Sequence, residues 1–120
     1  MIDILIVDDH KMLREALKEL LQPEPDFRVI GEADNAALAF ELAEKLSPDV
    51  IIMDINLGEI DGVSVTRRIL SKHPHIKVIG LSMHDDKSII DTMYQAGAVA
   101  YLTKSAPSEE IIASVRSCIT

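Results

Sequence analysis

The sequence predicts an α/β fold, a doubly wound parallel sheet of five strands in the order 2-1-3-4-5 with five helices packed on its faces. Three observations carry that prediction. Short runs rich in Ile and Val alternate five times with longer amphipathic stretches, which is the pattern of repeated βα units. The runs are continuously apolar instead of alternating, as strands covered on both faces must be. A chain of 120 residues that is 48% hydrophobic, with five Gly and five Pro, is built to bury one core and is neither disordered nor multidomain.

The elements follow in order. A first strand at Ile4 to Val7 leads to Met12, Leu13, Ala16, Leu17, Leu20 and Leu21, which recur at helical spacing. A second strand at Arg28 to Glu32 runs into Glu32-Ala33-Asp34-Asn35, ordinary turn and N-cap chemistry, before a helix carried by Leu38, Leu42, Ala43 and Leu46. The third strand, Val50 to Met53, precedes Val65, Ile69 and Leu70, and the fourth, Val78 to Leu81, precedes Ile89, Ile90 and Met93. The fifth, Ala100 to Thr103, is followed by the stripe Ile111, Ile112, Val115 and Ile119. Pro23, Pro25, Pro48, Pro74 and Pro107 fall between these segments or at a helix start, and Gly97 stands where the fourth helix needs a C-cap. Met12, Met53, Met83 and Met93 lie on or near the apolar stripes and read as packing residues.

Charge and cysteine content exclude several functions. Twenty acidic against twelve basic side chains give a formal charge of −8, which repels both a phosphate backbone and an acidic membrane surface. Apolar runs fall far short of the ~20 residues that span a bilayer. Asp8 and Asp9 arrive before a signal-peptide core could form, so a cytoplasmic protein is expected. Cys118 is the only cysteine and reads as a small apolar residue near a helix end. Neither zinc-ligand spacings nor glycine-rich phosphate loops occur.

In a sheet wound this way, ligands bind outside the carboxyl ends of the strands, at the crevice between the first and third. Asp8 and Asp9 follow the first strand, Asp54 the third, Ser82 the fourth and Lys104 the fifth. Any one of these alone is common turn chemistry. Four strand ends aimed at one crevice point instead to a site. Three close carboxylates repel by on the order of several kcal/mol per pair at an effective dielectric near 20. Lys104 offsets part of that, and a hard divalent cation suited to oxygen ligands, Mg2+, offsets the rest. The chemistry this set permits is phosphoryl transfer to a carboxylate, with positioning and charge neutralisation supplying the catalysis. Asp54, at the end of a buried central strand, is the best nucleophile, and Asp8 with Asp9 is the metal pair.

At these residues the chain resembles the receiver domain of two-component response regulators. The resemblance runs through Ile6-Val7-Asp8-Asp9-His10, Ile51-Ile52-Met53-Asp54, Asp61-Gly62, Gly80-Leu81-Ser82 and Gly97 to Lys104, all in family order. Glu24-Pro25-Asp26-Phe27, Val29 to Ala33 and the Tyr101-Leu102-x-Lys104 ending are most similar to the NarL/FixJ subgroup, whose members usually carry a LuxR-type helix-turn-helix. The resemblance implies a flavodoxin-like, CheY-like receiver spanning residues 1–120, with the DNA-binding output domain outside this chain. It implies that Asp54 accepts phosphate from a sensor histidine kinase and that Asp8, Asp9, Asp54 and the backbone carbonyl of Asn56 surround Mg2+. Lys104 and the Ser82 hydroxyl would bind phosphoryl oxygens, Ser82 and Tyr101 would form the switch, and Asn56 and His84 would tune the lifetime of the phosphate. The output face would be the fourth helix, fifth strand and fifth helix, with a possible phosphorylation-dependent homodimer. DNA would be reached only through the output domain. The protein would be no enzyme beyond its own phosphorylation and dephosphorylation. Two positions depart from the common pattern, Gly58 and Ser105, each where a proline is usual.

Other readings are a receiver without DNA-binding output, a partner-binding pseudo-receiver and an Mg2+-dependent aspartyl-phosphate hydrolase. The last resembles haloacid-dehalogenase phosphatases but would need Asp-x-Asp spacing after the first strand, where this chain has adjacent Asp8-Asp9. Charge is concentrated accordingly: Asp8, Asp9, Asp54, Glu59, Asp61, Asp85 and Asp86 against Lys11, Lys87 and Lys104 account for half of the net −8. His10 reads as a helix-start residue beside the site, and His73 and His75 as surface residues.

Overall fold

The computed structural model describes residues 1–57, 60–83 and 87–119. In chain order the elements are β1 (Ile2–Val7), α1 (Lys11–Leu21), β2 (Phe27–Ala33), α2 (Ala36–Leu46), β3 (Val50–Asp54), β4 (Asn56–Leu57), β5 (Ile60–Asp61), α3 (Gly62–Lys72), β6 (Lys77–Ser82), α4 (Lys87–Gln95), β7 (Ala100–Thr103) and α5 (Ser108–Ile119). The five long strands form one parallel sheet in the order β2-β1-β3-β6-β7. That is the doubly wound order expected of the five apolar runs.

The inner parts of β1, β3 and β6 are apolar on both faces because successive side chains point to different helical layers, whereas the edge strand β2 carries Arg28 and Glu32. Ile4 and Ile6, Val50 and Ile52, and Ile79 and Leu81 join Leu17 and Leu21 of α1 and Ile111 and Val115 of α5 in one core. Leu5 and Val7, Ile51 and Met53, and Val78 join residues of α2 and α3 and Met93 of α4 in the other. The sheet is therefore the middle of three layers. Burying each of these side chains stabilises the fold by roughly 1.5–3 kcal/mol.

Helix ends use local chemistry. Asn35 Oδ1 accepts the Leu38 N–H at 2.9 Å at the start of α2, and Asp61 Oδ1 accepts the Ser64 N–H at 2.7 Å at the start of α3. After α4, Gly97 has φ 113°, with its N–H on the Tyr94 carbonyl at 3.0 Å and the Ala98 N–H on that of Met93 at 3.1 Å. This is a Schellman ending, which a glycine permits without strain.

Two expectations are corrected. Met53 and Met93 are buried, but Met12 is 84% and Met83 73% exposed. Met12 precedes Leu17 by five residues, about 140° round the helix and off the buried stripe. Met83 lies just past the end of β6, where the chain emerges from the sheet. The short antiparallel pair β4–β5 was not anticipated, because two residues a side carry no periodicity. Among the described residues every peptide bond is trans, Lys104–Ser105 included, and no helix is long and apolar enough to cross a membrane.

Candidate functional site

Parallel register brings the site together. Val7 pairs with Met53, so Asp8 and Asp54 leave neighbouring strands at one level, and Asp54 itself pairs with Leu81. Ser82 pairs with Thr103, and the Lys104 N–H donates to the Ser82 carbonyl at 2.7 Å. Asp8 and Asp54 are each 1% exposed. The Lys104 side chain, 8% exposed, places Nζ 3.1 Å from Asp8 Oδ2 and 3.4 Å from Asp54 Oδ2. A buried cation thus bridges two buried carboxylates from adjacent strands.

The remaining oxygens are held by the turns. Asp8 Oδ1 accepts the His10 backbone N–H at 2.8 Å. His10 Nδ1 stands 3.0 Å from Asp8 Oδ1 and 3.0 Å from Asp9 Oδ1. Asp54 Oδ1 accepts the Asn56 N–H at 3.1 Å. Burial raises the Asp54 carboxyl from its ordinary value to about 6, and the Asp8 carboxylate pushes the same way against the Asn56 N–H and Lys104. Ligand-capable atoms of Asp8, Asp9, His10 and Asp54 lie within 4.8 Å of one another. Among the described residues neither Asp8 Oδ2 nor Asp54 Oδ2 accepts a hydrogen bond, and the charge facing both is the Lys104 ammonium, so a metal ion there would share these oxygens with Lys104. Oxygen donors of this charge suit a hard divalent ion.

Each remaining predicted residue has a definite place. Ser82 is buried at the end of β6. Tyr101, half-buried in β7, pairs with Gly80, and a Cβ there would stand 3.2 Å from the Tyr101 ring. Asn56 is exposed in β4. His84 and Gly58 lie outside the described residues. Cys118 is half-buried and its thiol is shifted upward by burial, away from reactivity.

Sequence reasoning missed three contributions. It placed His10 beside the site but not its ring between Asp8 and Asp9. Arg14 it did not single out, although its guanidinium reaches the Asp8 carbonyl. The signal available was a cation four residues into the apolar stripe of α1. Gly62 it used only as part of a motif, yet any Cβ there would overlap the backbone carbonyl of Asp54. Only glycine lets α3 start against the strand that carries the aspartate.

The chain and its fold have clear counterparts. The family model described as the response regulator receiver domain matches residues 4–116. The chain is 41% identical over 115 residues to the transcriptional regulatory protein DegU of Brevibacillus brevis, covering 96% of this chain and 49% of that protein. It is 38% identical over 117 residues to LiaR of Bacillus subtilis, covering 98% and 56%. It thus spans about half the length of these curated relatives. Among solved structures, the signal receiver domain of the putative response regulator NarL from Mycobacterium tuberculosis superposes with a TM-score of 0.92 at 32% identity, covering 98% of this chain and 94% of that one. A LuxR-family two-component response regulator from Aurantimonas gives 0.93 at 29% identity, covering 98% and 84%.

Proposed function

Since the chain belongs to the response regulator receiver domain family, we propose that it accepts one phosphoryl group on Asp54 from the phosphohistidine of a sensor kinase and relays that event through its surface. The observation that carries this is the buried constellation of Asp54, Asp8 and Lys104, with Lys104 Nζ within 3.4 Å of both carboxylates. In the transfer, a carboxylate oxygen of Asp54 forms a bond to phosphorus as the donor's N–P bond breaks, leaving the electron pair on the imidazole nitrogen. With its carboxyl raised only to about 6, Asp54 is mostly ionised at pH 7 and competent as the nucleophile.

Asp8, Asp9 and Asp54, with the Asn56 carbonyl, would hold Mg2+, which when bound supplies charge neutralisation for the incoming phosphoryl oxygens. Lys104 swings its charge from the two carboxylates to those oxygens, a charge-assisted contact. The Ser82 hydroxyl hydrogen-bonds another, Tyr101 follows it inward, and the face made by α4, β7 and α5 changes in population rather than in fold. Side chains at Asn56 and His84 tune the phosphate's lifetime. Because DegU and LiaR are named as regulatory proteins of about twice this length, the signal is proposed to reach DNA through a further domain, with phosphorylation-dependent pairing of receivers. The cytoplasm is where such a kinase would present its phosphohistidine.

The test is direct. Incubated with Mg2+ and a small phosphodonor such as acetyl phosphate, the protein should gain the mass of one phosphoryl group, and Asp54→Ala should gain none. Equal labelling of the two proteins overturns the reading.

A further inference from the structure

We infer that Arg14 is a positioning residue of the cation site, fastening the backbone of Asp8 through a clamp completed by Glu32. The inference rests on the receiver reading and concerns how this chain holds the turn that carries its metal pair. Arg14 lies one turn into α1, immediately after the acidic turn, and its side chain is only 14% exposed. An arginine this buried needs partners. Nη1 donates to the Asp8 carbonyl at 2.7 Å and Nε to Glu32 Oε1 at 3.1 Å, while Lys18 Nζ holds Glu32 Oε2 at 3.1 Å. The Asp8 N–H donates to the carbonyl of Ala33, the residue after Glu32, at 3.0 Å.

Both peptide groups of Asp8 are therefore tied to the end of β2, one directly and one through the guanidinium. The consequence falls on the carboxylate. With its backbone fixed on both sides and Oδ1 engaged by the His10 N–H, Asp8 has one direction left for Oδ2, into the cluster with Asp54. A planar fork can satisfy the Asp8 carbonyl and Glu32 at once, whereas an ammonium cannot reproduce both contacts in fixed geometry. Groups that orient a metal's ligands typically matter tenfold to a hundredfold in affinity.

Charge alone makes the opposite prediction. Arg14 is a cation beside an anionic site, so deleting it should strengthen the attraction for Mg2+ if its role were only electrostatic. Positioning predicts weaker binding. Mg2+ titrations of the chain, followed by amide NMR shifts at fixed ionic strength and pH 7.5, separate the two. The wild type, Arg14→Ala and Arg14→Lys would each also be melted in EDTA. The dissociation constant is expected to rise about tenfold in Arg14→Ala and by less in Arg14→Lys. Binding by Arg14→Ala as tight as the wild type, or tighter, overturns the inference alone. Should Arg14→Ala prove unfolded in EDTA, unchanged affinity in Arg14→Lys overturns it instead. A wild-type chain that binds no Mg2+ overturns the receiver reading and this inference together.

Discussion

Opposing forces meet on the buried carboxyl of Asp54. Desolvation and the neighbouring Asp8 carboxylate raise it to about 6, against an ordinary value of 3.8. Between those two values the folded chain binds more protons than the unfolded one, so stability present below pH 4 is lost as pH rises through 6. A shift of about two pH units corresponds to on the order of 3 kcal/mol. Asp54→Asn should therefore raise the melting temperature of the metal-free protein at pH 7 by several degrees, with the gain shrinking towards pH 4. Thermal scans in EDTA at both pH values check this, and a midpoint at pH 7 equal to or below that of the wild type would sink it. The same residue shows why the site was partly legible. Asp8, Asp54 and Lys104 could be read because parallel strands bring their carboxyl ends to one place whatever the details of packing. The contacts of His10 and Arg14 could not, although His10 was placed beside the site, because a side chain reaching across a turn or to a neighbouring strand leaves no periodic trace in sequence.

At the scale of elements, strand centres were legible and most strand ends were not, β7 excepted, whose bounds Ala100–Thr103 are the expected ones. β1 and β6 extend beyond their apolar runs into residues such as Asp3 and Ser82, whose backbone pairs although their side chains carry no hydrophobic signal. Helix caps were clear wherever one residue does the work, as at Asn35 and Gly97. The end of α2 differs: its C-cap, Ser47, has φ 46° and ψ 60°, the left-handed conformation that costs an L-residue about 1–2 kcal/mol. Ser47→Gly should relieve that strain, partly offset by the greater freedom of glycine in the unfolded chain, for a net gain of about 0.5–1 kcal/mol. Urea denaturation with an unchanged slope and a higher midpoint is the expected result, and a lower midpoint would show that Ser47 stabilises the turn in another way. α5 is held by different means. Arg116 Nη2 donates to Asp26 Oδ1 at 2.8 Å and to Glu24 Oε1 at 2.9 Å, its guanidinium 5.0 Å from the centroid of the Phe27 ring, and the contact lowers the Asp26 carboxyl. That latch joins α5 to the loop before β2, a pairing across 90 residues that no local pattern announces.

Across the whole molecule, the charge of −8 acts at two ranges. Exposed acids repel one another over a screening length of about 10 Å at 0.1 M salt, whereas the buried carboxylates of Asp8 and Asp54 are shielded from salt and respond mainly to a cation placed between them. The two ranges can be separated by experiment. Sodium chloride should raise the melting temperature of the metal-free protein modestly, by screening the surface. Millimolar MgCl2 at matched ionic strength should raise it further, because an ion bound only by the folded state adds stability that grows with the logarithm of its concentration. Asp54→Asn should keep the response to sodium chloride and lose most of the additional response to magnesium, since it removes a negative ligand while leaving the exposed acids unchanged. Equal responses to the two salts at equal ionic strength in the wild type would mean that the acidic cluster senses only the ionic atmosphere, and a magnesium increment undiminished in Asp54→Asn would place the ion away from Asp54.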